Sequence, residues 1–249
     1  MRWLHLSDIH YIPEDPAASS GEGRSTKQMR DMLKRYLRDE NIKVDHVFVC
    51  GDFRSAGHES SVDGSVSERA LAQAAVGFIM EIADCVGVSD PDRIHIVPGN
   101  HDLTRGKNDL VKIEDIRKLY QPSEGKFVKK DLKFLTERFS YFKEISRALH
   151  GEESFWLKEF QPLHNFRPAD PSQNLHCHLI YINTAITSNS DKDKEQEKLF
   201  IGNRALYDAL TQCEEADKHD PYKPITPIFI LAHHSLNDLN RIYVFKLEQ

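Results

Sequence analysis

A chain of 249 residues with 39% apolar and 29% charged side chains is apolar enough to fold and too polar for a membrane protein. No stretch reaches the roughly 18 uninterrupted apolar residues that a membrane span needs, so neither an anchor nor a secretory signal is expected. A net charge of -6 argues against wrapping nucleic acid by bulk electrostatics, while leaving open a nuclease whose cleft is made positive by bound metal.

In chain order, short β-branched runs predict buried strands at Trp3 to Leu6, His46 to Cys50, Ile94 to Val97, Leu179 to Ile182 and Pro227 to Leu231. Met29, Met32, Leu33, Tyr36 and Leu37 recur at helical spacing, which predicts a first helix with these residues inward, capped by Ser25 and Gln28. Lys27, Arg30, Lys34, Arg35 and Arg38 then fall on its solvated face. Val66 to Val86 predicts a second helix, with Ser65 and Glu68 as a capping box and Gly87 as its stop. Strands alternating with helices over the first hundred residues indicate an α/β fold with parallel strands. Leu103 to Phe166 breaks the rhythm with helical patterns at Ile113 to Tyr120 and Leu132 to Leu149 and no strong strand. This stretch, about 103–166, is expected to be a helical insertion over or beside the site, within one domain spanning 1–249. Ser188 to Lys198 is expected to be a solvated loop.

Cys50, Cys85, Cys177 and Cys213 lie far apart with no C-x-x-C spacing. They suit a reducing cytoplasm, not a zinc knuckle or a disulfide framework.

The residues able to bind metal cluster at predicted strand ends: Asp8 and His10 after the first, Asp52 after the second, Asn100, His101 and Asp102 after the third, His233 and His234 after the fifth. Ligand sites in open α/β sheets lie beyond the carboxyl ends of strands, so these residues are placed to build one composite site. Carboxylate, imidazole and amide oxygen together suit Mn, Fe, Zn or Ni, with Mn the favoured choice. A carboxylate has two oxygens with which to bridge two ions, and Asp52 is the candidate. Two divalent ions less two carboxylates and a hydroxide leave about +1 to attract a phosphate.

Leu6-Ser7-Asp8-Ile9-His10, Val49-Cys50-Gly51-Asp52, Val97-Pro98-Gly99-Asn100-His101-Asp102 and Leu231-Ala232-His233-His234, in this order, resemble the motif set of calcineurin-like metallophosphoesterases. One such motif is a weak signal; four in order from one end of the chain to the other are a strong one. The resemblance implies a four-layer αββα sandwich with mixed sheets. It also implies a first metal on Asp8 and His10, a second on Asn100 and His233, and Asp52 between them. His101 would then steady or protonate the leaving oxygen, and of the histidine pair His233, not His234, would ligate. The implied activity is hydrolysis of a phosphate ester by in-line attack of a metal-bridging hydroxide. A phosphodiester is preferred because Ser55 and Ala56 stand where the protein-phosphatase branch carries aspartate and arginine.

The family pattern closes with G-H-x-H, and this sequence reaches Gln249 without it. That departure suggests C-terminal truncation, or a further C-terminal region or partner domain that completes the site, and it predicts weakened metal affinity. Arg241 to Phe245 reads as the strand leading into the missing motif. His176-Cys177-His178 precedes the fourth strand and lacks the glycine, so it is not taken as a replacement. Two other functions are weighed. One is a nuclease, motivated by Lys126, Lys129, Lys130 and Lys133. The other is a catalytically weakened scaffold, or the effector domain of a larger protein, motivated by the missing motif. Arg54, two residues beyond Asp52, is read as a solvated loop residue in preference to a phosphate contact.

Overall fold

The computed structural model describes residues 1–12, 21–55, 67–106, 109–119, 129–151, 164–166, 177–190, 193, 198–201, 203–218, 227–235 and 238–239. The first sheet contains β1 (Trp3–Ser7), β2 (His46–Cys50) and β3 (Ile94–Val97), all parallel and in that order. The second contains β4 (His164–Phe166), β5 (Cys177–Tyr181) and β6 (Ile228–Leu231), with β4 antiparallel and β6 parallel to β5. The second sheet is thus the mixed one, whereas the first is wholly parallel among the described residues. β4 was not expected: three residues are too short to show a period in sequence, and the strand exists by pairing with β5.

Alternation along β2 sets the layering. Val47 and Val49 join a cluster with Ala72, Val76, Ile79 and Ile82 of α2 (Glu68–Cys85) and with Tyr141, Phe142 and Ile145 of α5 (Ser140–His150). Phe48 and Cys50 point the other way, to Leu179, Tyr181 and Leu231 of the second sheet. Ile180 and Ile182 in turn face Leu206, Ala209 and Cys213 of α6 (Asn203–Lys218). The order is therefore helix, sheet, sheet, helix, as side chains of period two require when both faces of a strand are covered.

α6 was not anticipated, although Leu206, Ala209, Leu210 and Cys213 carry the i, i+3, i+4, i+7 spacing that announces it. α2 starts on Ser67, whose side chain accepts the Ala70 N–H; Ser65 lies outside the described residues. The stop is as expected, with Gly87 at φ +83.

α1 (Gly21–Asp39) overturns the expected helix face. Met29, Met32 and Tyr36 are 67%, 72% and 58% exposed, while Leu37 is buried and Leu33 half-buried. The inward positions beside Leu33 and Leu37 are taken by Arg30 and Lys34, which the sequence put on the solvated face. Arg30 lies over the rings of Tyr11 and Phe78 at 4.7 and 5.6 Å, and Lys34 binds Glu81 of α2 and Asp31 at 2.9 and 3.1 Å. Long cationic stems can cover apolar surface with the charge kept at the rim, so they compete for a helix face on equal terms with methionine. Hydrogen bonds that Lys34 donates to the carboxylates of Glu81 and Asp31 raise its pKa.

The stretch read as an insertion divides. α5 packs directly on α2 and closes the helical layer behind the first sheet. α3 (Asp109–Leu119) and α4 (Lys129–Glu137) instead form a small cluster of Ile113, Ile116 and Leu135 against Ile186.

Between the sheets runs a buried polar chain: His46 Nδ1 lies 3.2 Å from His95 Nε2, and His95 Nδ1 lies 2.7 Å from the Tyr181 hydroxyl. Burial, aided by Arg93, pushes His46 down to about 4. An unfolded histidine takes its proton near pH 6.5, so the unfolded state binds more protons between pH 6.5 and 4 and stability falls as pH falls through that window. At most about 3 kcal/mol is at stake. Denaturant titrations at pH 7, 5.5 and 4.5 should show this loss, and His46→Leu should flatten it; an unchanged slope in the variant would place the acid sensitivity elsewhere.

Candidate metal centre

The carboxyl ends of β1, β2, β3 and β6 deliver Asp8, His10, Asp52, Asn100, His101 and His233 to one cavity of about 240 Å³. The chain meets this edge with a strained backbone. Asp8, His10 and Asp52 have φ of 53°, 44° and 55°, three of the four non-glycine residues in the left-handed region among those described. Such residues are uncommon and cost of order 1 kcal/mol or more each, so the surrounding structure must enforce them. Part of the enforcement is visible: the N–H groups of His10 and Tyr11 donate to the carbonyls of Asp52 and Phe53, both at 2.8 Å.

Asp52 sits at the centre and is nearly inaccessible. Its Oδ1 accepts the His101 N–H at 2.9 Å. Its Oδ2 faces His233 Nε2 at 3.4 Å, His101 Nε2 at 3.8 Å and His10 Nε2 at 3.9 Å. Gly51 and Gly99 make room for this packing. A Cβ on Gly99 would lie 2.1 Å from Asp52 Oδ1, and one on Gly51 would lie 2.7 Å from both Gly99 Cα and His233 Nδ1. Only glycine fits either place.

Proton positions follow from the partners. His10 Nδ1 lies 3.2 Å from the Arg54 carbonyl and His233 Nδ1 lies 2.8 Å from the Cys50 carbonyl. A carbonyl only accepts, so each Nδ1 carries a proton and each Nε2 of the neutral ring presents a lone pair to the cavity. His10 Nε2 then faces Asp8 Oδ1 at 4.0 Å as well as Asp52 Oδ2, and His233 Nε2 faces Asn100 Oδ1 at 3.1 Å as well as Asp52 Oδ2. Acceptors therefore converge on acceptors, an arrangement that a cation relieves. Asp8, His10 and Asp52 alone offer three ligand atoms within 4.8 Å of one another. His10 Nε2 and His233 Nε2 thus share one neighbour, Asp52 Oδ2.

The sequence reading missed several neighbours. His234, read there as a structural histidine, stands behind Asn100: its Nε2 lies 3.1 Å from Asn100 Oδ1, and its Nδ1 and N–H both meet Thr184 Oγ1 at 3.0 Å. The arrangement is consistent with a proton order in which Thr184 donates to Nδ1 and Nε2 donates to the Asn100 oxygen. Arg54 corrects the expectation of a solvated loop residue. It is 4% exposed, donates Nε to the His101 carbonyl at 3.1 Å and Nη2 to the Leu103 carbonyl at 2.9 Å, and lies over the Tyr141 ring. It holds the His101 loop in place. Asp102, fully buried, accepts the N–H groups of Phe53, Arg54 and Gly99, tying the second motif to the third. Burial and the neighbouring Asp52 push its carboxyl up to about 7 against those three donors. Cys50 borders the site, and burial raises its thiol to about 11, as it does for Cys177 and Cys213. His178 of the H-C-H triplet pairs with Asp217 at 2.9 Å on α6. Arg241 to Phe245 lies outside the described residues.

Two substitutions test this assembly. Gly99→Ala should abolish Mn binding measured by calorimetry, because the new methyl occupies the place of Asp52 Oδ1; wild-type affinity would mean the two motifs are not locked together. Asp102→Ala leaves three buried N–H groups unpaired and should lower stability by about 3 kcal/mol in a denaturant titration.

The family model for calcineurin-like phosphoesterases matches residues 1–245. An uncharacterized metallophosphoesterase-like protein, YydB of Bacillus subtilis (strain 168), is 25% identical over 245 residues, which cover 95% of this chain and 43% of YydB. The chain thus spans less than half the length of that relative. With the family model covering nearly every residue, the chain belongs to the calcineurin-like phosphoesterase family.

Proposed function

We propose that the protein hydrolyses phosphodiesters with two divalent metal ions, Mn favoured, held by Asp8, His10, Asp52, Asn100 and His233. The observation that carries this reading is the convergence of the His10 and His233 Nε2 lone pairs on Asp52 Oδ2, the first also facing the Asp8 carboxyl and the second the Asn100 amide oxygen, with each histidine's other nitrogen committed to a backbone carbonyl. When bound, the ions would neutralise the phosphate and lower the pKa of the attacking water. The chain's own residues do the rest. Asp52, fixed by the His101 N–H, sets the spacing of the two groups. His101, with Nε2 3.8 Å from Asp52 Oδ2 and its ring 5.2 Å from that of His10, lines the cavity beside both groups, a place from which it can steady the charge on the phosphate or give a proton to the leaving oxygen. Preference for diesters rests on Ser55 and Ala56, which stand where the protein-phosphatase branch of the family carries its charged pair.

Hydrolysis of bis-p-nitrophenyl phosphate and p-nitrophenyl phosphate, with Mn and after chelation, tests the reading. Mn-dependent turnover should favour the diester, and Asp52→Asn should lower kcat at least a thousandfold. His101→Asn should lower kcat about a hundredfold with Mn binding retained, the loss typical of a general acid. A wild-type chain that binds Mn and turns over neither ester would instead favour a binding scaffold.

A further inference from the structure

The wall of the metal cavity away from Asp8 and His10 is built by the segment 184–190 after β5 and by residues that follow it: Ser188, Ser190, Leu199 and Asp238. This wall has its own support. Arg138, at the end of α4 and 4% exposed, donates Nη2 to the Ser188 carbonyl at 2.7 Å. Arg117 of α3, 7% exposed, donates Nη2 to the Thr187 carbonyl at 2.7 Å and pairs with Asp193 at 3.0 Å. Asp193 in turn accepts the N–H groups of Asn189 and Ser190 at 2.5 and 2.8 Å, and the Ser190 hydroxyl at 3.2 Å. Ile186 is anchored in the apolar cluster of α3 and α4. Burying two arginines is costly, and each directs one Nη2 to a carbonyl of this one loop.

Ser188 is the residue on which this support converges, and it is chemically incomplete. It is 1% exposed, it lines the cavity, and its hydroxyl has no hydrogen-bond partner among the described residues. By contrast, the Ser190 hydroxyl is satisfied by Asp193 and the Thr187 hydroxyl by the Phe200 N–H and the Lys198 carbonyl. A buried hydroxyl without a partner costs about 1 to 3 kcal/mol, so a group that enters the cavity and bonds to it gains affinity. The wall around it is polar, with Leu199 its one apolar member among the residues named, which suits a hydroxyl-bearing alcohol better than an apolar one.

We propose that Ser188 is a specificity residue that hydrogen-bonds the alcohol portion of a polar phosphate ester, such as a polyol or sugar phosphate, and that Arg138 is its positioning residue. The proposal rests on the phosphoesterase reading for the place of the phosphate, on the metals, and adds what recognises the rest of the molecule. It also gives α3 and α4 a purpose: α3 carries Arg117, and α4 ends directly before Arg138, the two arginines that set the wall.

Calorimetric titration of the Mn-loaded protein with sn-glycerol 3-phosphate, phenyl phosphate and inorganic phosphate tests the proposal without requiring turnover. Wild type should bind glycerol 3-phosphate more tightly than phenyl phosphate. Ser188→Ala should weaken glycerol 3-phosphate about fivefold, the value of one neutral hydrogen bond, and leave the other two within twofold. Arg138→Met should produce the same selective loss, partly restored in Arg138→Lys. Equal loss for all three ligands, or no loss for glycerol 3-phosphate in Ser188→Ala, would overturn the proposal. Selective loss in Arg138→Met is expected only if the arginine acts through the wall, since a merely structural role would affect inorganic phosphate equally. The two readings separate cleanly: a chain that shows the selective loss yet hydrolyses no ester refutes catalysis and keeps the recognition role, whereas an active chain indifferent to Ser188→Ala refutes recognition and keeps catalysis.

Discussion

The structure depends on fixing one carboxyl group, that of Asp52, where the ends of β1, β2, β3 and β6 meet. Its position requires a left-handed backbone at Asp52, a glycine on either side of the contact between the second and third motifs, and a backbone N–H from the residue that follows Asn100. Each of these is unfavourable or restrictive alone. Together they over-determine a point in space, which is what a site with several ligands on different strands needs.

Around that point the molecule is arranged in rings of support. Carbonyls of Cys50 and Arg54 orient the two imidazoles, Asp102 gathers three N–H groups from both motifs, and Arg54 holds the carbonyls of His101 and Leu103. Behind these lie the apolar layers, where β2, buried on both faces, joins α2 and α5 on one side to the second sheet on the other. Polar precision at the edge is thus supported by a packed interior that cannot yield, since cores of native density transmit displacement in place of absorbing it.

The remaining side of the cavity obeys a different logic. There the backbone is held by long arginines from α3 and α4 and by Asp193, residues far from one another in the chain. No helix among the described residues is long and apolar enough to cross a membrane. Ser188 to Lys198, a polar run that reads as solvated loop, is instead anchored over its described first residues by the buried Arg117–Asp193 ion pair and by the hydrogen bond from Arg138 to the Ser188 carbonyl.

The sequence by itself determined the strands of the first sheet and the residues that gather at their ends. β2 and β3 coincide with their apolar runs because a strand covered on both faces must be apolar throughout, and Asp8, His10, Asp52, Asn100, His101 and His233 follow strands directly, so local pattern was enough to bring them to one edge. What depended on partners was not legible. The inward face of α1 went to Arg30 and Lys34 over Met29 and Met32 because Tyr11, Phe78 and Glu81 wait on α2 and β1's exit, β4 exists only as a neighbour of β5, and α5 belongs to the main core because α2 offers it a surface. Arg54 reads as a loop residue until the carbonyls of His101 and Leu103 are placed beside it, and His234 reads as spare until Thr184 and Asn100 take both its nitrogens. Periodicity reports how a segment meets an average surface; which surface it meets is decided only when the chain closes.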